Sequence, residues 1–258
     1  MCLALIALAA HPRLPLVIAA NRDEFHERAA EPAHCWASGI IAGVDRLGGG
    51  TWFGVAQMGR WALVTNYREG VPRDPKAPSR GELVTRALSE DARPLVTAAA
   101  IAGDGERYHG FNLLLGEGTE AAYASNRASG AIALGPGVHG LSNHLLETPW
   151  PKVVRSKERL AAWLATGSVD LEPLFELLAD RAQAEPSALP STGVAPEWER
   201  LLSSSFIVDP RYGTRCSTVL AISERGRARF VERSFDSVGR RTGEASFEFD
   251  LERRSTRR

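Results

Sequence analysis

The sequence predicts an α+β fold with antiparallel sheets, and three observations carry that prediction. Strand-like and helix-like segments arrive in blocks rather than in strict alternation, unlike the βαβ pattern of a parallel sheet. The chain opens on two short apolar runs joined by a turn signal, the mark of a buried hairpin. Further along, two pairs of helical stretches with apolar stripes divide the remaining strands into two sets. Two strand sets and two helix pairs suit a pair of sheets sandwiched between helical layers.

In chain order, residues 2–10 form an uninterrupted apolar run, His11-Pro12-Arg13 carries the turn, and residues 14–20 are apolar again. With Pro12-Arg13 as the loop, Cys2 faces Asp23; a three-residue loop puts it opposite Arg22. Either register brings Asn21-Arg22-Asp23-Glu24 to the N-terminus, where paired residues stand about 4.5–5.5 Å apart. Residues 52–57 and 61–66 flank Met58-Gly59-Arg60 as a hairpin. Ser79-Arg80-Gly81-Glu82 has capping-box spacing, and Leu83, Val84, Ala87 and Leu88 follow at helical intervals. A second helical stretch covers 95–102 until Gly103-Asp104-Gly105 breaks it. Strands resume at 111–115, 121–125 and 131–134. Helices are expected at 153–165, 171–181 and 196–202, and closing strands at 206–209, 217–223, 228–235 and 246–251.

At 258 residues, 44% hydrophobic and 24% charged, the chain reads as one domain over 1–252 with a large core, followed by a frayed basic tail at 253–258. A formal net charge of zero supplies no basic field for nucleic acid. The three cysteines, Cys2, Cys35 and Cys216, lack the even spacing of a disulfide framework and suit a reducing compartment. The N-terminal apolar run has no basic leader before it and passes straight into a second strand, so it reads as mature protein. No other stretch approaches the ~20 apolar residues of a membrane span; a cytoplasmic location is expected. Oligomeric state is left open.

Cys2 carries the chemistry. A small residue behind Met1 allows the initiator to be trimmed, which leaves a thiol and a free α-amine on one residue. In model peptides these groups titrate near ~8.5 and ~8, so a nucleophile and its base stand together. Four consecutive polar residues ending an apolar hairpin are poorly explained by packing, and the Asp23 carboxylate suits a charge-assisted bond to the α-ammonium. Other motifs are set aside. Gly135, Gly137 and Gly140 match G-x-G-x-x-G, yet no helix opens behind them to receive a pyrophosphate. His26, His34 and Cys35 lack a fourth ligand at zinc spacing, so no metal is expected. Trp61 and Trp163 read as core, while Trp52, beside Gly49-Gly50-Thr51, can line a pocket. Asn66 and Asn143, taken alone, read as turn formers.

Taken together, Met1-Cys2, Asn21-Arg22-Asp23-Glu24, Gly49-Gly50-Thr51-Trp52-Phe53-Gly54, Thr65-Asn66-Tyr67-Arg68, Phe111-Asn112-Leu113-Leu114, Gly140-Leu141-Ser142-Asn143 and Thr148-Pro149-Trp150-Pro151-Lys152 resemble the NRDE family, whose eukaryotic members are called transport and Golgi organisation protein 2. That family is similar in turn to cysteine-type N-terminal-nucleophile hydrolases such as penicillin V acylase and bile salt hydrolase. The resemblance implies a four-layer αββα sandwich. It implies catalytic roles for Cys2 as nucleophile, Asp23 at the α-amine, Asn66 and Asn143 as oxyanion donors and Arg215 as support for the thiolate. Asn21, Arg22, Trp52 and Arg68 are the expected substrate contacts, the substrate is a small molecule, and no cofactor is required. One position departs from the acylase pattern: Ala20 stands where those enzymes carry Arg, and Arg22 would have to substitute from another face. A second reading stays open, because eukaryotic members are associated with haem mobilisation and acyl-coenzyme A handling. In it the same pocket serves a non-catalytic carrier of haem or acyl-coenzyme A, although no Cys-Pro haem signature is present.

Overall fold

The computed structural model describes residues 2–71 and 74–252. In chain order the elements are β1 (Cys2–Leu8), β2 (Leu16–Phe25), β3 (Ala30–Cys35), β4 (Ile40–Asp45), β5 (Phe53–Ala56), β6 (Arg60–Asn66), α1 (Gly81–Ser89), α2 (Pro94–Gly103), β7 (Phe111–Glu117), β8 (Glu120–Ser125), β9 (Ala131–Leu134), β10 (Gly137–Leu141), α3 (Pro151–Ala165), α4 (Glu172–Leu178), α5 (Pro196–Leu201), β11 (Tyr212–Ile222), β12 (Arg227–Phe235) and β13 (Arg241–Asp250). One antiparallel sheet runs β10-β1-β2-β11-β12-β13, and the other runs in sequence from β3 to β9.

The opening hairpin shows why its strands are apolar without alternation. Leu3, Leu5, Val17 and Ala19 pack on α3 and α4 residues such as Leu160 and Leu174, while Ala4, Ile6, Leu16 and Ile18 pack against Phe53, Trp61, Leu63 and Leu114 of the second sheet. Both faces are buried, so both need apolar side chains. On the outer face of the second sheet, Ala62, Val64, Leu113 and Leu115 meet Leu83, Val84, Ala87 and Leu88 of α1 and Ala98 and Ile101 of α2. The layers therefore follow the order helices, sheet, sheet, helices, which is the αββα arrangement implied by the resemblance. Among the described residues no helix is long and apolar enough to cross a membrane.

Several local expectations change. The hairpin pairs Cys2 with Arg22 and Leu8 with Leu16, the second of the two candidate registers, across a wider connection than either loop assumed. His11 builds that connection: its Nδ1 accepts from Arg13 N at 3.2 Å and Leu14 N at 3.0 Å, and its ring stacks 5.7 Å from Trp163. The Ser79–Glu82 capping box does not form, because α1 starts at Gly81 with no side-chain cap and Ser79 Oγ accepts from Gly81 N instead. Strands β3, β4 and β10 were not foreseen: β3 carries Pro32 beside a register shift and forms an edge, and β10 is the glycine-rich segment, paired to β1. Residues 206–209 are not a strand, since Phe206 N bonds to Asp180 O and Ile207 N to the Thr214 hydroxyl. The helix expected over 171–181 stops at Leu178. At Gly59, φ is +81°, which the turn between β5 and β6 requires and glycine supplies. The expected tail at 253–258 lies outside the described residues.

Candidate active site

Strand periodicity distributes the polar run at the end of β2. Arg22 shares the inter-sheet face with Cys2, its cross-strand partner, whereas Asn21 and Asp23 turn to the face covered by α3 and α4. On the other side of β2, β11 pairs Thr214 with Asp23 and Cys216 with Arg22, which leaves Arg215 as the extra residue of a bulge. The bulge aims side chains. Thr214 Oγ1 donates to Asp23 Oδ1 at 2.7 Å, and the Tyr212 hydroxyl donates to the Asp23 carbonyl at 3.0 Å. The Arg215 guanidinium donates to the carbonyls of Phe25, His26 and Arg28 at 3.0, 3.3 and 3.1 Å. It pins the turn after β2 and does not line the cavity at Cys2, contrary to its expected place beside the thiolate.

Cys2 itself is half-buried, and its carbonyl accepts from Ser142 Oγ at 3.0 Å. Thr65 Oγ1 holds the Ser142 carbonyl at 2.7 Å, so the ends of β1, β6 and β10 are tied together. Asn143 completes the tie. Its Nδ2 donates to the Asn66 carbonyl at 2.8 Å and its own carbonyl accepts from Arg68 N at 2.7 Å, with the whole residue buried. Asn66 is half-buried at the end of β6 and lines the cavity. The structure thus brings Cys2, Arg22, Asp23, Trp52 and Asn66 to one cavity, with Asn143 behind Asn66 rather than in the wall.

That cavity measures about 640 Å³. A second, more apolar cavity of about 290 Å³, lined by Phe25, Tyr67, Val71, Trp198, Leu202 and Tyr212, adjoins it across Glu24, Asn66, Arg80 and His109. Charge gathers at the first. Asp45 accepts from Arg22 at 3.2 Å and from Arg28 at 2.7 Å; burial would raise its carboxyl, yet the Arg28 bond and the Gly48 N–H hold it below the usual range. The Arg22 guanidinium lies 4.4 Å over the Trp52 ring, and neither Arg22 Nη1 nor Trp52 Nε1 has a hydrogen-bond partner among the described residues. Gly43 makes room for this stack: a Cβ there would stand 2.3 Å from Trp52 Cη2.

Of the other expected substrate contacts, Asn21 is bonded away from both cavities, whereas Arg68 lines the smaller one. Asn21 Nδ2 donates to the carbonyls of Leu178 and Ser205, and its Oδ1 accepts from Ser217 Oγ at 2.6 Å, so it staples the α4 and post-α5 segments to β2. Arg68 is buried in an ion pair with Glu199 and lies 4.5 Å over Trp150; burial lowers its proton affinity against the pull of Glu199. The sequence reading missed Glu199, Tyr212, Thr214 and Lys152. Lys152 had a signal as the end of the Thr148–Lys152 motif, and Thr214 as the neighbour of Arg215 in Gly213-Thr214-Arg215-Cys216. Lys152 is buried at the start of α3, and burial pulls its ammonium down to about 8, while Asp23 and Cys2 pull upward. Burial also raises Asp23, against Lys152, Thr214 and Arg22. His34 and Cys35 lie on β3, and His26 contacts the Asp209 carbonyl.

The family profile described as Transport and Golgi organisation 2 matches residues 1–237. The chain belongs to that family. A bovine Transport and Golgi organization protein 2 homolog is 35% identical over 241 residues, 85% of this chain and 86% of its own length. A mouse homolog is 33% identical over 258 residues, 92% of this chain and 93% of its own. Among solved structures, a Caenorhabditis elegans N-acylethanolamine-hydrolyzing acid amidase ortholog superposes with a TM-score of 0.50 at 12% identity, covering 85% of this chain and 92% of that one. The fold is that of the N-terminal-nucleophile hydrolases.

Proposed function

We propose that the protein is an N-terminal-nucleophile amidohydrolase that acts on a small N-acyl amide or thioester through an acyl-enzyme on Cys2. The observation that carries this reading is the position of Cys2 at a fixed strand end, open to a cavity of about 640 Å³ that also receives Arg22, Trp52 and Asn66. Once Met1 is removed, the α-amine takes the thiol proton and Asp23 holds the resulting ammonium. The thiolate sulfur attacks the carbonyl carbon, and charge develops on the carbonyl oxygen beside the Asn66 amide, whose main chain Asn143 holds still. The ammonium returns its proton to the leaving amine or thiol as the carbon–nitrogen or carbon–sulfur bond breaks. Water, deprotonated by the α-amine, then splits the thioester to a carboxylic acid and regenerates Cys2. The apolar cavity suits the acyl group, and Arg22, Arg28 and Arg80 suit an anionic leaving portion.

Intact-mass measurement of native material and of protein briefly exposed to N-acyl amides, acyl-coenzyme A and haemin tests the reading. Loss of Met1 and an acyl mass increment on Cys2, absent in Cys2→Ala, are expected. Retention of Met1 would end the hydrolase reading, because the amine would then be an amide. Tight binding of haemin or acyl-coenzyme A without any increment would make the cavity that of a carrier.

A further inference from the structure

Lys152 occupies a place that is hostile to a cation. It is the second residue of α3, where the helix dipole opposes positive charge, and only 1% of its surface is exposed. Among the described residues its ammonium makes one long hydrogen bond, 3.5 Å to the Ser204 carbonyl. A dry ammonium so weakly bonded needs a nearby anion. Asp23 is the carboxyl on the Lys152 face: β2 turns it to the side of the sheet that α3 covers, and its charge favours the Lys152 ammonium, while the thiol of Cys2 faces the other way. The other charged or titratable groups around Lys152 are Cys2 of β1, whose thiolate would also favour the ammonium, Arg68 after β6, paired with Glu199 of α5, and Arg155 of α3 itself; beside Asp23 stands Tyr212 of β11, whose hydroxyl bonds the Asp23 carbonyl.

We infer that Lys152 is a positioning residue for the nucleophile: from the far side of the sheet it keeps Asp23 ionised, and ionised Asp23 holds the Cys2 ammonium beside the thiolate. The inference rests on the N-terminal-nucleophile reading above. Lys152 makes and breaks no bond. Without it, burial leaves Asp23 closer to its neutral form, the α-ammonium loses its anion, and less thiolate is present at neutral pH.

The test is the pH dependence of Cys2 alkylation by iodoacetamide, read on the N-terminal peptide by mass so that Cys35 does not contribute. Lys152→Met should move the midpoint up by about half a pH unit or more, and slow alkylation at neutral pH about threefold or more. Lys152→Arg, which restores the charge, should bring the midpoint back toward that of the unaltered protein. Adding Lys152→Met to Asp23→Asn should produce no further shift, because the lysine acts through the carboxyl. A purely structural lysine would lower thermal stability and leave the midpoint in place, and that result in folded, Met1-trimmed Lys152→Met overturns the inference. Full additivity in the double variant overturns it as well. That variant removes both buried charges and keeps the comparison available should Lys152→Met alone fail to fold. An unchanged midpoint in Asp23→Asn would instead overturn the underlying nucleophile reading, and this inference with it.

Discussion

Cys2 and Arg22 are directly paired across β1 and β2, so thiol and guanidinium share the inter-sheet face while Asp23, one residue on, turns to the opposite side. In the proposed mechanism the carboxyl therefore meets the main-chain amine at the strand end and not the sulfur. Asp23→Asn keeps the shape, keeps the bond from Thr214 and removes the charge. Cys2 alkylation at neutral pH should slow, and hydrolysis of any acyl substrate should fall by ~10²-fold, the scale of losing a positioned acid–base group. Unchanged thiol reactivity would reduce Asp23 to a strand-end anchor.

Glu199 and Arg68 form the most enclosed ion pair near the site, with side chains only 4% and 2% exposed. Glu199→Ala takes away the carboxylate, and also the acceptor for Thr192 N and Oγ1. Breaking a buried pair from one side costs about 3–5 kcal/mol. Urea unfolding should show a loss of that order; a loss under ~1 kcal/mol would mean that Arg68 finds water when its partner leaves.

Gly43→Ala places a methyl 2.3 Å from Trp52 Cη2 and 2.8 Å from the Glu31 carbonyl. Neither neighbour can give way cheaply, since one is backbone and the other an indole under the Arg22 guanidinium. Overpacking of this kind costs roughly 1–3 kcal/mol. Ligand affinity should fall together with stability, because the displaced indole moves within the cavity wall; a fall in stability with unchanged affinity would remove Trp52 from the binding surface.

Asp45 gives a pH signature. Its carboxyl is held below the usual range, so the stability it contributes is present above the unfolded carboxylate pKa of ~3.9 and is lost as pH falls through the lower folded value. Asp45→Asn should therefore destabilise the protein at neutral pH, and the gap between the two proteins should narrow on acidification below about pH 4. A gap that stays constant from neutral pH to pH 3 would show that the ionised form is not what Arg22 and Arg28 recognise.

The sequence by itself determined the strands and helices whose apolar patterns are strong: the opening hairpin, the Trp61–Asn66 strand, the stripe of α1 and the long α3. It also determined the pairing of Cys2 with the polar run at 21–24, since both lie on one hairpin and local pairing leaves only two registers. Tertiary structure decided everything that depends on partners far along the chain. The bulge at Arg215 exists only because β11 lies against β2, nearly two hundred residues away, and it sends the guanidinium to three backbone carbonyls instead of to the thiolate. Asn21 reads like its three polar neighbours but meets Leu178, Ser205 and Ser217, which no local pattern announces. Lys152 stands in the sequence only as the end of the Thr148–Lys152 motif, and its burial follows from α3 lying across the face of the sheet to which Asp23 turns. Periodicity reports which face of an element is apolar; what a polar side chain on that face will touch is set by the elements that come to cover it.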